Sequence, residues 1–208
     1  MNFASYADFR TKVQILIDGD DISQSDLSVE TLDLIISSGE QRIYRDLRSS
    51  TQDTALSLTT TSNLVTLPSD FIELKGAPYI GTFAVATYAP WEAIQNMIQI
   101  ATGYTAGGLV RYSFQSDKMI FFPVQADGVT VTGQYYKRFT DISGGLNALF
   151  TRHPDVFMYA ALAESAPFLG EMARLEIWEK KYIELVESAN ETERRRYTRG
   201  GKLQTRIA

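Results

Sequence analysis

The chain contains no cysteine, so disulfides, thiolate nucleophiles and cysteine-ligated metals are excluded. It has a single histidine, His153, directly before Pro154. A lone imidazole with no nucleophile motif beside it reads as a helix N-cap or a surface residue, not as a general base. No apolar run approaches the roughly 18 residues of a membrane span. The first residues lack the basic-plus-apolar pattern of a secretory signal. The signatures Gly-x-Ser-x-Gly, Ser-x-x-Lys, His-Glu-x-x-His and Gly-x-x-x-x-Gly-Lys-Ser/Thr are all missing. Gly200-Gly201-Lys202 has neither a strand before it nor a hydroxyl after it, so it reads as a flexible tail and not a phosphate cradle. Glu164 and Glu171 are carboxylates of the type that hydrolyses glycosides, but a chain with 25 acidic residues offers many such pairs. The expectation is no enzyme: no catalytic residue, no cofactor and no metal.

What is present is the composition of a soluble globular protein, with 208 residues, 44% hydrophobic and 22% charged. That length accommodates one core, or one core carrying an insertion. The net charge of −5 conceals an asymmetry. Six of the 20 basic residues (Arg194, Arg195, Arg196, Arg199, Lys202 and Arg206) fall after position 193, with no acid among them. The rest of the chain therefore sets 14 basic residues against 25 acidic ones. An acidic body with a basic tail reads as an interaction tail; the alternative is a solvated, frayed end.

The strongest periodicity lies in residues 154–196. Pro154 suits the first position of a helix, and Val156, Phe157, Ala160, Ala161 and Leu162 fall on one stripe. Pro167 and Gly170 interrupt the run, and a second helix restarts at Glu171. Met172, Leu175, Trp178, Tyr182, Leu185 and Ala189 then form a narrow seam close to a 3.5-residue repeat. This seam is a candidate subunit-packing surface, and its partner is either the same chain or another copy. Earlier in the chain, Ser5 and Asp8 match a capping box before a helix that ends near Asp18-Gly19. The acid-rich stretch 18–26 fails as a calcium loop, because Ile22 and Ser23 stand where an oxygen ligand and a glycine are required. A second helix starts at Ser28, with Arg42, Arg45 and Arg48 along one side; a solvated face paired with nearby acids is preferred there to a phosphate-binding stripe.

Residues 51–149 change character. Ala55–Thr59 and Leu64–Leu67 read as a short hairpin, followed by an extended piece at Phe71–Leu74 and a helix opening at Pro90-Trp91. Leu109–Phe114, Met119–Phe122 and Val129–Tyr136 read as a three-strand meander. The expected fold class is mainly α: a bundle of about four helices with a β-rich subdomain inserted between helices two and three. The expected division is 1–50 plus 150–197 for the bundle, 51–149 for the insertion and 198–208 for a flexible basic tail.

Five segments, in this order, carry a resemblance. They are Arg42-Ile43-Tyr44-Arg45-Asp46-Leu47-Arg48, Leu67-Pro68-Ser69-Asp70-Phe71-Ile72-Glu73-Leu74, Met119-Ile120-Phe121-Phe122-Pro123, Gly133-Gln134-Tyr135-Tyr136-Lys137, and the run from His153-Pro154-Asp155 to Glu164. Over nearly its whole length the chain resembles the head-to-tail adaptor (connector, head-completion) proteins of short-tailed bacteriophages. The resemblance implies a structural virion protein, made in the host cytoplasm, that forms a ring of typically twelve copies. It implies a portal protein ring above as partner, a tail nozzle or tube protein below, and other copies of itself at the sides. DNA would pass through without specific binding and no membrane would be involved. The C-terminal extension would dock on the portal, which assigns that role to Arg194, Arg195, Arg196, Arg199, Lys202 and Arg206. An acidic body suits a conduit that must not hold phosphates. The competing reading is a nucleic-acid-binding protein that uses the basic tail in packaging or gene control; Tyr135-Tyr136 beside Lys137-Arg138 has that flavour, although the acidic body argues against it.

Overall fold

A computed structural model describes residues 3–18, 27–81, 84–100, 109–170 and 172–198, without the side chains of 172, 197 and 198. It contains helices α1 (Tyr6–Asp18), α2 (Val29–Asp46), α3 (Trp91–Ile100), α4 (Ala148–Arg152), α5 (Pro154–Leu169) and α6 (Met172–Thr198). Its strands are β1 (Asp53–Thr59), β2 (Leu64–Thr66), β3 (Phe71–Leu74), β4 (Tyr79–Ile80), β5 (Ala84–Tyr88), β6 (Val110–Gln115), β7 (Lys118–Phe122) and β8 (Thr130–Lys137). The chain divides into two compact units, Met1–Thr51 with Phe139–Ala208, and Gln52–Arg138.

The helical unit is built on α5. This helix is mostly apolar, and Val156, Phe157, Met158, Leu162, Ser165 and each alanine within it are buried; a helix with apolar residues on most of its circumference belongs inside. Pro154 opens it and Gly170, at φ 68°, closes it in the left-handed conformation that glycine adopts without steric cost. Helix α2 crosses α5 at a point of unusually close approach. A Cβ on Gly39 would stand 3.0 Å from the Ala161 nitrogen and 3.1 Å from the Ala160 carbonyl carbon. Ser28 caps α2 by accepting the Thr31 N–H at 3.2 Å. At α1, Ser5 accepts the Asp8 N–H at 3.2 Å, and Asp8 reaches back to the Ala4 N–H at 3.0 Å. Phe9, Phe150 and Phe157 meet edge-on, with ring centres 5.0 and 5.1 Å apart, and tie α1, α4 and α5 together.

The second unit is a mixed eight-stranded sheet in the order β1-β8-β4-β5-β6-β7-β2, with β3 also paired to β8. The two ends of that path, β1 and β2, are joined by residues 60–63, so the sheet curls towards a barrel. Every ladder is antiparallel except β5 with β6, where Ala86, Thr87 and Tyr88 face Val110, Arg111 and Tyr112 in parallel. A parallel pair needs a crossover, and α3 lies within that connection. Strand β7 shows the period of two: Met119 and Phe121 enter the main core with Leu56, Val65, Val131 and Tyr135, while Ile120 faces α3 and packs with Ile94 and Ala89.

These facts correct the mainly α, four-helix reading. The chain has six described α-helices and an eight-stranded sheet, so it is a mixed α and β protein. The hairpin is corrected as well, and the meander in part: β6 and β7 pair antiparallel as expected. β1 pairs along β8, β2 pairs with β7, and β7 does not pair with β8. The missed strands explain the error: β4 has two residues, too few for any period, and β5 buries only Ala86. Pro167 does not end a helix, because it sits in the last turn of α5, where loss of one N–H breaks a single terminal hydrogen bond. Helix α4, five residues capped by Asn147 onto the Phe150 N–H at 2.9 Å, is too short to carry periodicity. Of the acid-rich stretch 18–26, Asp18 ends α1, and residues 19–26, like the restart at Glu171, lie outside the described residues.

Candidate functional site

Helix α6 carries most of the residues singled out by sequence, and it is held on the helical unit by two polar networks. The first is centred on Arg42 of α2. Its guanidinium donates to both oxygens of Glu179, one at 2.8 Å, and lies 3.6 Å from Glu164 and from Asp46. It also stands 4.3 Å above the Tyr182 ring, whose hydroxyl donates to Asp46 at 2.8 Å. The Arg42 hydrogen bond holds the Glu179 carboxyl below the usual carboxylate range, and the same pairing raises the pKa of Arg42 further. Burial, then the bond to Asp46, pushes the Tyr182 hydroxyl up. Three carboxylates thus surround one cation and tie α2, α5 and α6 together.

The second network holds the far end of α6. Glu193, 4% exposed, accepts from Arg152 at 2.6 Å and lies 3.3 Å from the Ser50 hydroxyl. His153 is half-buried with Nε2 3.3 Å from the Ser49 hydroxyl; it does not cap α5 through its side chain, and burial, then the Arg152 charge, lowers its pKa. Asn190 accepts the Arg48 N–H at 3.0 Å and donates to the Asp46 carbonyl at 2.9 Å. Both networks join residues more than 100 positions apart, so no local pattern could reveal them. The sequence showed Arg42 as charged and helical but not its partner.

In the seam, Tyr182 is 1% exposed within its own chain, whereas Leu175, Trp178 and Leu185 are partly buried. Met172 opens α6, but its side chain is not described. Towards the C-terminus the buried positions are Tyr182, Val186 and Glu193, not the Leu185 and Ala189 of a 3.5-residue repeat. A straight α-helix has 3.6 residues per turn and rotates away from a heptad seam. Beyond the seam's edge, Ile177 is 68% exposed, and Phe168 of α5 is 58% exposed.

Of the basic run, Arg194 and Arg195 both hold Glu191, at 2.7 and 2.9 Å, and remain exposed. Arg196 donates to the Ser50 hydroxyl and lies 4.0 Å from Glu193. Arg199, Lys202 and Arg206 lie outside the described residues. Among the described residues no group of three His, Asp or Glu side chains is placed to hold a metal ion, and no helix is long and apolar enough to cross a membrane. Glu164 accepts from Ser38 at 3.1 Å in addition to its contact with Arg42.

No curated protein matches the chain. A family description does, and it covers residues 4–205: SU10 adaptor protein. The resemblance to phage head-to-tail adaptors is thus borne out, and with it a structural role as a virion component in contact with other head or tail proteins. The chain belongs to the SU10 adaptor family.

Proposed function

We propose that the chain assembles as a ring, of twelve copies, that joins the portal to the tail and continues the DNA channel, with no catalysis of its own. The family match over residues 4–205 is the observation that carries this reading. The geometry is consistent with it. α6 is a 27-residue helix tied to the helical unit at Glu179, Tyr182, Asn190 and Glu193, and it carries Arg194, Arg195 and Arg196 near its C-terminus, ahead of the basic residues Arg199, Lys202 and Arg206 in sequence. We assign these six residues to docking on the portal ring. The acidic remainder of the chain disfavours adhesion to DNA phosphates. The remaining neighbours are a tail nozzle or tube protein on the far side and other copies at the flanks, where the closed ring requires heterologous contacts.

Electron microscopy of the protein mixed with portal rings tests the reading. The expected result is a second ring stacked on the portal, absent when residues 198–208 are removed. A full-length chain that retards DNA with a steep dependence on salt, and leaves portal rings bare, supports the nucleic-acid reading instead.

A further inference from the structure

Strand β8 is continuous, but its inner edge is shared by two short strands. β4 covers Val131 and Thr132, and β3 covers Tyr135 to Lys137. The chain crosses between them over Gly133, where a Cβ would come within 3.5 Å of Pro78. β5 extends the sheet outward from β4 and pairs with the first half of β6, as far as Tyr88 opposite Tyr112. Pro90 follows, and the chain leaves for α3. Alongside β3, therefore, no strand continues β5. Among the described residues, β3 pairs only with β8, and Ser113 to Gln115 of β6 pair only with β7. The two half-used strands border a groove of about 990 Å³.

The floor of that groove is aromatic. Tyr135 stacks on Phe71 at 5.5 Å, Phe71 meets Phe114 at 6.1 Å, and Phe114 meets Tyr112 at 5.7 Å. Phe114 is 37% exposed. The groove's lining includes two carboxylates, Asp117 and Glu73, the second of which also has an interaction within its own chain. Strand edges offer backbone hydrogen bonds to an extended chain and are templates for an added strand. An added strand turns alternate side chains to opposite faces, so one set would meet the rings and the other would lie near the two acids. We infer that this slot receives an extended segment of about four to six residues from a neighbouring virion protein, inserted as a strand between β3 and β6, with apolar residues alternating with lysine or arginine. The inference rests on the adaptor reading for its partner, and on the groove alone for the partner's chemistry.

The test uses the full-length chain and a synthetic hexapeptide alternating lysine with leucine, followed by amide chemical shifts. The expected result is saturable binding, with shifts confined to residues 71–74 and 113–117. Replacing the peptide's lysines by glutamate is expected to weaken binding at least about tenfold, and Glu73→Lys with Asp117→Lys to do the same. Asp117→Lys alone, at an exposed turn, should weaken it about threefold. Glu184→Lys with Glu187→Lys, an equal change of charge in the helical unit, should leave binding unchanged. Equal binding by the glutamate peptide, or shifts scattered over both units, overturns the inference. So does an oligosaccharide of N-acetylglucosamine that shifts the groove amides where the peptide does not, since the floor would then be a sugar platform. Peptide binding is read on the chain alone, so its failure leaves stacking on the portal untouched, and a failure to stack leaves the slot standing.

Discussion

The two units reach a tight interior by opposite means. In the helical unit small residues make a close helix crossing, with Gly39 against Ala160 and Ala161, and Glu179 and Glu193 are paired with Arg42 and Arg152. In the sheet unit the core is filled by large side chains, Tyr112, Met119, Phe121 and Tyr135 among them, with only Ala86 of the small residues. The helical unit is thus sensitive to added atoms at this crossing, and both units to the removal of large buried side chains, Phe9 and Phe150 in the one and Phe121 in the other. Dense packing makes both changes costly, but for different reasons: overlap in the first case and an unfilled void in the second.

The largest effect is expected from emptying the sheet core. Phe121→Ala should cost about 3–5 kcal/mol in denaturant melts, because Phe121 is fully buried in the sheet core. A loss under about 1 kcal/mol would mean that the curled sheet collapses onto the void. Next comes Gly39→Val, expected to cost about 3 kcal/mol or more, read from the helical circular dichroism signal. Its Cβ would meet backbone atoms, which cannot turn aside as a flexible side chain does. A neutral result would show that α2 slides on α5 and would erase the contrast between the units.

Arg42→Met should cost about 2 kcal/mol, since Glu164, Glu179 and Asp46 then share a site without their cation. This change also alters the response to acid. The folded pKa of Glu179 lies below its ordinary 4.5, so its contribution is present above that pH and is lost as pH falls through the folded value. The variant should therefore lose stability less steeply below pH 4.5 than the parent, and an unchanged slope would remove Glu179 from the clamp. His153, lowered from 6.5 by burial, gives a separate loss as pH drops below 6.5, because the unfolded chain then binds the proton first. The smallest effect is Tyr182→Phe, about 1 kcal/mol, because the ring stays buried and only the bond to Asp46 is lost.

Legibility followed the range of the interactions. The caps at Ser5 and Ser28, the helix start at Pro154 and its glycine stop at Gly170 could be read directly, since each depends on residues within one turn. The alternation in β8 was legible for the same reason: Val131 and Tyr135 are buried between exposed neighbours, Thr130 and Gln134. Apart from the β6–β7 hairpin, the ladders were not legible. Adjacent strands in a sequence suggest a hairpin, yet Leu64 of β2 pairs with Ile120 and Leu56 of β1 with Gly133. Nor was the groove, whose walls come from two segments separated by about 40 positions and which exists because a strand is missing.

Composition and order excluded cysteine chemistry and showed where the charge lies along the chain, because both are properties of the residues alone. The family pattern was likewise written in short segments whose order survives without coordinates. Tertiary structure decided which charges meet and which edges remain open. Arg42 selects Glu179, 137 positions away, and Glu193 selects Arg152, 41 positions away, only after their helices pack together. The slot beside β3 arises because β4 and β3 divide one edge of β8, and strand pairing depends on backbone groups that every residue except proline supplies alike.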